Sequence, residues 1–254
     1  MLSTSHFVLI PSYDSGPLLE RTLHEARRFW APVWVVIDGS RDGSDAAALA
    51  LAAQDKAVRV FVLPENQGKG AAVLHGVRAA RAAGFTHALT MDADAQHPAP
   101  DIPRFMAASM AAPDAMILGR PIFDASAPMI RIRGRKISNW WTDLETLDGG
   151  IGDSLFGFRV YPIAPLIAAM EETRWMRRFD FDPEAAVRLF WRGVRPINLD
   201  AACRYLKPDE GGVSHFRYGR DNVLLTWMHT RLVLSSLCRR SALLRRRRAR
   251  QTIV

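Results

Sequence analysis

Two aspartates stand one residue apart in the stretch LTMDADAQHP, directly after an apolar run. Asp92 and Asp94 offer carboxylate oxygens suited to a hard divalent cation such as Mg²⁺ or Mn²⁺, and Gln96 offers an amide oxygen. The alternative is that both aspartates only cap the next helix, since short polar side chains accept hydrogen bonds from free backbone amides. The polar groups elsewhere in the chain favour the metal interpretation, in which the cation is shared with the phosphates of a substrate.

Other polar groups also follow apolar runs, in PSYD, VIDGSRDGS and ENQGKG. Asp38 closes its run and could accept hydrogen bonds from a ribose or base, although such Asp-Gly turns also form without a ligand. Lys69 lies at a predicted helix start, where anions such as phosphates are favoured, and the neighbouring Gly68 and Gly70 allow a ligand to approach the backbone. The stretch is not a phosphate-binding P-loop, because Leu63 stands where that motif requires its first glycine.

The first 120 residues alternate between apolar runs and helical patterns. Strands are predicted at HFVLIP, PVWVVID, AVRVFVLP and THALTMD, with helices between them. Ser44 is a candidate N-cap for the second helix, and Gly84 ends the third. Such alternation predicts a parallel sheet covered on both faces, whose ligands gather at the carboxyl ends of the strands. All the polar groups above fall at those ends.

Beyond residue 114 the pattern is less regular. Strands are predicted at DAMILGRP, DSLFGFRVYP and VRPINLDAACRY, and helices at PMIRIRGRKISNWWTDLETL, DPEAAVRLFWRG and DNVLLTWMHTRLVLSSLCRR. The last helix is amphipathic. We therefore predict an α/β fold with a mostly parallel sheet and helices on both faces. The predicted boundaries are one domain over 1–238, with halves 1–120 and 121–238, and a basic tail over 239–254.

Charge is concentrated at the carboxyl end. The 254-residue chain has a net charge of +8, and seven arginines follow residue 238, which leaves +1 for the rest. An amphipathic helix followed by such a tail is typical of contact with an anionic membrane surface, although a core helix with a solvated tail, or binding to nucleic acid, is also compatible. The chain shows no cleavable signal and no apolar run of membrane-spanning length. Its two distant cysteines suggest a reducing, cytoplasmic compartment.

The motifs PSYD, VIDGSRDGS, ENQGKGAAVLHGV, MDADAQHP, GRPIF and DSLFGFRVY, in this order, resemble the family 2 glycosyltransferases. The similarity runs from Val8 to about Arg231. It is greatest to the branch with dolichyl-phosphate mannose synthases and bacterial polyprenyl-phosphate glycosyltransferases. The resemblance implies a glycosyltransferase A-type fold with a Rossmann-like nucleotide-binding half.

The resemblance also implies roles for individual residues. Pro11, Tyr13 and Asp38 match positions that hold the nucleotide base and ribose. Asp92 and Asp94 match the metal and diphosphate motif, with Gln96 at a further metal position, and Arg120 matches an arginine near the sugar. Basic groups of a late loop that closes over the phosphates correspond to Arg204, His215 and Arg217. Asp182 or Glu184 corresponds to an acceptor-side carboxylate that could act as a base. The alternative is that these acids only stabilise the start of a helix through its dipole.

The predicted function is inverting, metal-dependent transfer of a sugar from a GDP- or UDP-linked donor to a lipid-linked acceptor. The favoured acceptor is polyprenyl phosphate. The enzyme would act at the inner face of the membrane as a peripheral protein. A hydroxyl acceptor on a glycolipid or polysaccharide precursor is an alternative, and it would require a base. Nucleic-acid binding through the basic tail is a less favoured alternative. A sugar nucleotidyltransferase would require a glycine-rich, arginine-bearing loop after the first strand, which IPSYDSGP does not supply.

Overall fold

The computed structural model describes residues 2–123, 127–204 and 218–251, with the side chains of 218, 246 and 248–251 left out. His215 and Arg217 therefore lie outside the described residues. The strands are β1 His6–Ser12, β2 Val33–Asp38, β3 Val58–Leu63, β4 His87–Thr90, β5 Ala115–Phe123, β6 Arg159–Pro162 and β7 Arg195–Cys203. The α-helices are α1 Pro17–Phe29, α2 Ser44–Gln54, α3 Lys69–Ala82, α4 Ile102–Ala111, α5 Met129–Thr146, α6 Ile163–Glu171, α7 Phe181–Trp191, α8 Tyr218–Leu237 and α9 Arg240–Gln251.

One seven-stranded sheet has the order β3-β2-β1-β4-β6-β5-β7. Strand β6 runs antiparallel to both of its neighbours, and the other four pairings are parallel. Alternate residues of β1 enter separate apolar clusters on the two faces, with Phe7 and Leu9 on one and Val8 and Ile10 on the other. The predicted α/β fold with helices on both faces is confirmed.

Several local predictions need correction. Only the last part of DSLFGFRVYP forms a strand, and α6 was not predicted. Ser44 is the first residue of α2 rather than its cap. The Ser44 amide and hydroxyl instead donate to Oδ1 of Asp42, at 3.0 and 2.6 Å. The N-cap residue is Gly43, and Asp42 in the preceding turn holds the first amide of the helix.

The basic segment also differs from a solvated tail, because it forms helix α9 against the body. Leu243 is buried in the main apolar cluster. The guanidinium of Arg239 lies 4.8 Å from the ring centre of Trp191, and Arg247 pairs with Asp148 at 3.1 Å. Among the helices described, none has the length and apolarity needed to cross a membrane.

Candidate functional site

Strand register brings the predicted functional groups to one edge of the sheet. Leu9 of β1 pairs with Thr90 of β4, and both Thr90 and Leu118 pair with Arg159 of β6. Pro11, Asp92 and Arg120 each come two residues later, so they lie at the same level of this edge. The sequence-based expectation that these groups share one edge agrees with the register.

The centre of the site is an ammonium group between two carboxylates. Nζ of Lys69, the first residue of α3, lies 2.5 Å from Oδ1 of Asp92 and 2.6 Å from Oδ2 of Asp182. Asp182 comes from the first turn of α7, and its Oδ1 is buried and has no hydrogen-bond partner among the described residues. Lys69 was predicted to contact phosphate. In the structure its charge is neutralised by carboxylates of the chain itself.

Burial and charge act in opposite directions on this group. Burial alone would lower the pKa of Lys69, but the charges of Asp182 and Asp92 outweigh it and raise the pKa. Burial alone would raise the pKa of Asp92, yet the attraction of Lys69 lowers it overall. Lys69 and Asp92 are therefore both charged near neutral pH.

Gly68 and Gly70 serve a different purpose from the predicted ligand approach. A Cβ on Gly68 would lie 2.4 Å from the carbonyl oxygen of Arg177, and one on Gly70 would lie 2.1 Å from that of Met176. The Arg177 carbonyl also accepts a hydrogen bond from the Ala71 amide at 3.0 Å. The loop before α7 thus covers the start of α3, and the glycines admit this loop rather than an anion.

His97 supports Asp92 and was given no role of its own by the sequence analysis. Its Nδ1 accepts a hydrogen bond from the Asp92 amide at 3.0 Å, so the neutral ring carries its proton on Nε2, 3.7 Å from Oδ2 of Asp92. Burial lowers the pKa of His97 to about 4, which keeps the ring neutral. The ring packs against Phe156 and Phe158. The only sequence signal was its place behind the aspartates.

Asp94 and Gln96 form the outer part of the predicted metal motif. Oδ1 of Asp94 accepts a hydrogen bond from the backbone N–H of Gln96 at 3.1 Å. Burial and the adjacent charge of Asp92 raise the pKa of Asp94 to about 7. Within the described ranges no three His, Cys, Asp or Glu side chains cluster as a complete metal site. Two neighbouring carboxylates that repel one another fit a divalent cation whose remaining ligands come from a substrate.

The predicted nucleotide residues lie in different environments. Asp38 is 2% exposed, and its carboxylate accepts hydrogen bonds from the amides of Gln67 and Gly68 at 2.9 and 2.7 Å. This contact fixes the loop before α3. Tyr13 is exposed at the end of β1, whereas Pro11 is buried. Of this group, Tyr13 is the side chain presented to solvent.

Two further basic residues, Arg120 and Arg204, also reach this edge. Nε of Arg120 lies 2.5 Å from Oδ1 of Asp200 on β7, and the Arg120 side chain is exposed. The Arg204 amide donates to the carbonyl of Gln96 at 3.3 Å, which brings the end of β7 against the aspartate motif. Both positions suit the predicted contacts with sugar and phosphate.

Glu184 does not fit the role of a base. Its fully buried carboxylate accepts a hydrogen bond from Nε of Arg188 at 2.6 Å. It also accepts hydrogen bonds from both terminal nitrogens of Arg231, at 2.9 and 2.6 Å. It is therefore held as a structural ion pair between α7 and α8. Asp180 accepts hydrogen bonds from the amides of Met176 and Arg178, and it shapes the loop before α7. Only Asp182 of the three acids reaches Lys69.

Two further residues were missed by the sequence analysis. Arg159 is fully buried and donates to the carbonyls of Phe156, Asp182 and Asp153. It thereby links β6 to the start of α7. A Cβ on Gly157 would lie 2.8 Å from Nζ of Lys69, so only glycine leaves room for the ion pair. An arginine inside the apolar run FGFRVYP was the available signal for such a buried cation.

The chain is thus an open-sheet α/β protein with acidic groups at the carboxyl edge, which is the edge where such sheets bind their ligands. A family model described as "Glycosyl transferase family 2" matches residues 7–164, and the chain belongs to this family. It is 33% identical over 162 residues to a polyprenol monophosphomannose synthase of Mycolicibacterium smegmatis, covering 61% of this chain and 60% of that one. It is 32% identical over 136 residues to an undecaprenyl-phosphate mannosyltransferase of Micrococcus luteus, covering 53% and 51%. The matches thus span less than two thirds of either relative.

Solved structures share the fold. Glucosyl-3-phosphoglycerate synthase from Mycobacterium tuberculosis, in complex with uridine diphosphate, superposes with a TM-score of 0.64 at 12% identity, covering 92% of this chain and 80% of that one. Another structure of that enzyme, with Mn²⁺ and UDP-glucose, has a TM-score of 0.58 at 15% identity, covering 83% and 74%. Mannosyl-3-phosphoglycerate synthase from Rubrobacter xylanophilus has a TM-score of 0.58 at 14% identity, covering 94% and 75%. At these identities the likeness establishes the glycosyltransferase A-type fold alone.

Proposed function

We propose that this protein transfers a sugar, with inversion, from a GDP- or UDP-linked donor to a lipid-linked acceptor, and that this acceptor is polyprenyl phosphate. The observation that carries the proposal is the Asp92 and Asp94 pair beside Lys69 and Asp182, at the edge where this fold binds its ligands. Family membership supports glycosyl transfer. The names of the two relatives, polyprenol monophosphomannose synthase and undecaprenyl-phosphate mannosyltransferase, support the acceptor class.

The proposed cofactor is Mg²⁺ or Mn²⁺, held by Asp92, Asp94 and Gln96. When bound, such a cation stabilises the negative charge that develops on the leaving diphosphate. Lys69 and His97 fix the position of Asp92 from two sides, so this carboxylate is ordered before the donor arrives. In this proposal Tyr13 contacts the nucleotide base, and Arg120 and Arg204 contact the sugar and the phosphates. Asp38 contributes indirectly, through the loop that it holds.

A phosphate acceptor is already ionised near neutral pH, so its attack on the anomeric carbon requires no strong base. The hydroxyl acceptor stays as a second candidate because of one observation: the buried Oδ1 of Asp182 has no hydrogen-bond partner within the part of the chain that the structure describes. That oxygen could accept a proton from a hydroxyl group. Assays with undecaprenyl phosphate and with a glycolipid that offers a sugar hydroxyl, side by side, distinguish these two candidates.

We also propose a peripheral location at the inner face of the membrane. The exposed apolar residues Val223, Leu224 and Trp227 of α8, together with the arginines of α9, support contact with an anionic lipid surface. Nucleic-acid binding is the disfavoured alternative, since the exposed apolar side chains of α8 suit lipid and would gain nothing from contact with phosphate groups. It predicts salt-sensitive binding that survives substitution of both aspartates.

The test is transfer of labelled sugar from GDP- and UDP-sugars to undecaprenyl phosphate with Mn²⁺ or Mg²⁺. Asp94→Ala should reduce transfer by about 100-fold or more, because electrostatic stabilisation of the leaving group is lost. It should also remove the rise in melting temperature that Mn²⁺ gives with a nucleoside diphosphate. The control is Asp114→Ala, an exposed aspartate before β5. Full activity of the Asp94 variant would contradict the metal site, and a lack of transfer by the unaltered protein to either acceptor would contradict the function.

A further inference from the structure

Lys69 already neutralises a carboxylate of the proposed metal motif. Its Nζ lies 2.5 Å from Oδ1 of Asp92, so the two groups form a charge-assisted hydrogen bond. The Asp92 side chain is 32% exposed, whereas that of Lys69 is 15% exposed. The carboxylate that a dissolved cation can reach is therefore one whose negative charge the ammonium group offsets from the inner side.

The ammonium group has a second carboxylate partner that is more deeply buried. Oδ2 of Asp182 lies 2.6 Å from Nζ of Lys69, and the Asp182 side chain is 8% exposed. Oδ1 of Asp182 is buried and has no hydrogen-bond partner among the described residues, and an unmade hydrogen bond of this kind is unfavourable. An ammonium group carries several N–H donors. Asp182 can thus accept hydrogen bonds from Lys69 through both of its oxygens when the contact with Asp92 is lost.

The backbone of Lys69 has no room to follow such a change. A Cβ on Gly68 would lie 2.4 Å, and one on Gly70 would lie 2.1 Å, from a carbonyl oxygen of the loop before α7. The Gly68 amide also donates to Asp38 at 2.7 Å. Movement of the ammonium group must therefore come from the side-chain torsions of Lys69, which leave it beside the two carboxylates.

A divalent cation and the ammonium group compete for the negative charge of Asp92. Like charges beside one carboxylate repel each other, and this repulsion is stronger in a partly buried site than in water. A nucleoside diphosphate brings negative charge of its own and shares the cation, so it offsets the repulsion. A cation without a nucleotide receives no such compensation.

We propose that Lys69 competes with the divalent cation for Asp92 and thereby makes binding of the cation depend on the nucleoside diphosphate. Metal alone binds weakly because the ammonium group holds Asp92. Metal together with the diphosphate binds tightly, and Lys69 then pairs with Asp182 alone. The inference rests on the proposed function, since it takes Asp92 as a metal ligand. It gives Lys69 a role other than the phosphate contact that the sequence predicted.

The experiment measures the dissociation constant of Mn²⁺ by titration calorimetry on the full chain, first alone and then with GDP or UDP. Lys69→Met should bind Mn²⁺ alone at least about tenfold more tightly than the unaltered protein, because a positive charge beside the site is removed. GDP or UDP should then raise the Mn²⁺ affinity of this variant by a smaller factor. Lys56→Met is the matched control, since Lys56 is exposed between α2 and β3. It removes the same charge from the chain and should change neither constant.

The direction of the change separates this role from a structural one. Damage to the fold by Lys69→Met would weaken Mn²⁺ binding, whereas removal of a competitor strengthens it. Unchanged or weaker binding of Mn²⁺ by folded Lys69→Met would overturn the inference. An equal gain in Lys56→Met would also overturn it, because the effect would then come from the net charge of the chain.

Asp182→Asn tests the same exchange while Lys69 is kept. Asparagine has no charge, so the ammonium group stays with Asp92, and Mn²⁺ alone should bind at least about threefold more weakly. Equal or tighter binding would overturn the inference even if Lys69→Met does not fold. An unaltered protein that binds Mn²⁺ in neither condition would contradict the metal site of the proposed function, and this inference with it. Normal binding with GDP or UDP, but no effect of Lys69→Met, would contradict this inference alone.

Discussion

The ammonium nitrogen of Lys69 lies 2.6 Å from a carboxylate oxygen of Asp182, although the two residues are 113 positions apart in sequence. The same nitrogen also pairs with Asp92, which belongs to the predicted metal motif. Lys69 thus connects the donor side of the site to the acid at the start of α7. Neither carboxylate can move into the cleft without breaking a contact with this one side chain.

Replacement of Lys69 should lower the free energy of unfolding, because it leaves two carboxylates without their cation. Lys69→Met leaves Asp92 and Asp182 close together without a cation, so we expect a loss of about 3 kcal/mol in the free energy of unfolding. Urea unfolding at neutral pH measures it. Arg21→Met is the control, because its pair with Glu25 is exposed and contributes only about 0.5 kcal/mol. Equal losses for the two variants would mean that the buried ion pairs of Lys69 contribute no more to stability than the exposed pair of Arg21.

Gly157→Ala tests the same contact by crowding rather than by removal of charge. The added methyl would lie 2.8 Å from Nζ of Lys69 and 2.9 Å from Oδ2 of Asp92. We expect a destabilisation of about 1–3 kcal/mol and a clear fall in glycosyl transfer, as the ion pair is displaced. Gly134→Ala in α5 meets no atom within 4 Å and should instead be neutral or stabilising by about 0.5–1 kcal/mol. An unchanged transfer rate in Gly157→Ala would show that the cleft tolerates movement of Lys69.

Glu145 should give the protein a distinctive dependence of stability on pH. Burial, with a smaller contribution from the charge of Glu184, raises its pKa from 4.5 to about 9. The folded state therefore holds this proton more tightly than the unfolded chain does. The resulting stability is fully present below about pH 4.5 and is lost as the pH rises toward 9.

The isosteric variant Glu145→Gln is neutral at every pH and should lack this contribution. Between these two pH values the unaltered protein should lose stability relative to the variant by up to about 1.4 kcal/mol per pH unit. Denaturant midpoints measured across that range give the difference. Parallel profiles for the two proteins would mean that Glu145 is ionised in the folded state, as a pair with His229.

Helix α9 can be tested through two adjacent leucines. Leu243 is 2% exposed and packs in the main apolar cluster, whereas Leu244 is 37% exposed. Leu243→Ala should cost about 2–5 kcal/mol of unfolding free energy, while Leu244→Ala should cost less than about 0.5 kcal/mol. Thermal or urea unfolding distinguishes them. If both variants are as stable as the unaltered protein, the basic segment is not docked as described.

The sequence predicts most of the sheet because buried strands leave a local signal. Runs such as HFVLIP and PVWVVID are apolar on both faces, and Asp38 and Asp92 interrupt them at the ends of strands. What could not be predicted depends on distant partners. The same glycine signal at Gly68 and Gly70 suits a ligand or another backbone, and only the fold shows the carbonyls of Met176 and Arg177 there.

The partners of the acids in the first turn of α7 could not be predicted from the sequence either. Asp182 and Glu184 are two residues apart and therefore point in different directions. One meets Lys69 and the other meets Arg231 of α8. Sequence spacing indicates that these directions differ, but it does not indicate which direction leads to the cleft. The choice between them as a base therefore required the structure.

The place of β6 in the sheet constrains the order in which a nascent chain can fold. Strand β5 is synthesised before β6, yet β6 lies between β4 and β5 in the finished sheet. While the ribosome is still making β6, the edges of β4 and β5 that will face it have unpaired backbone N–H and C=O groups. We therefore expect this interval of translation to be the one in which the chain most needs a chaperone.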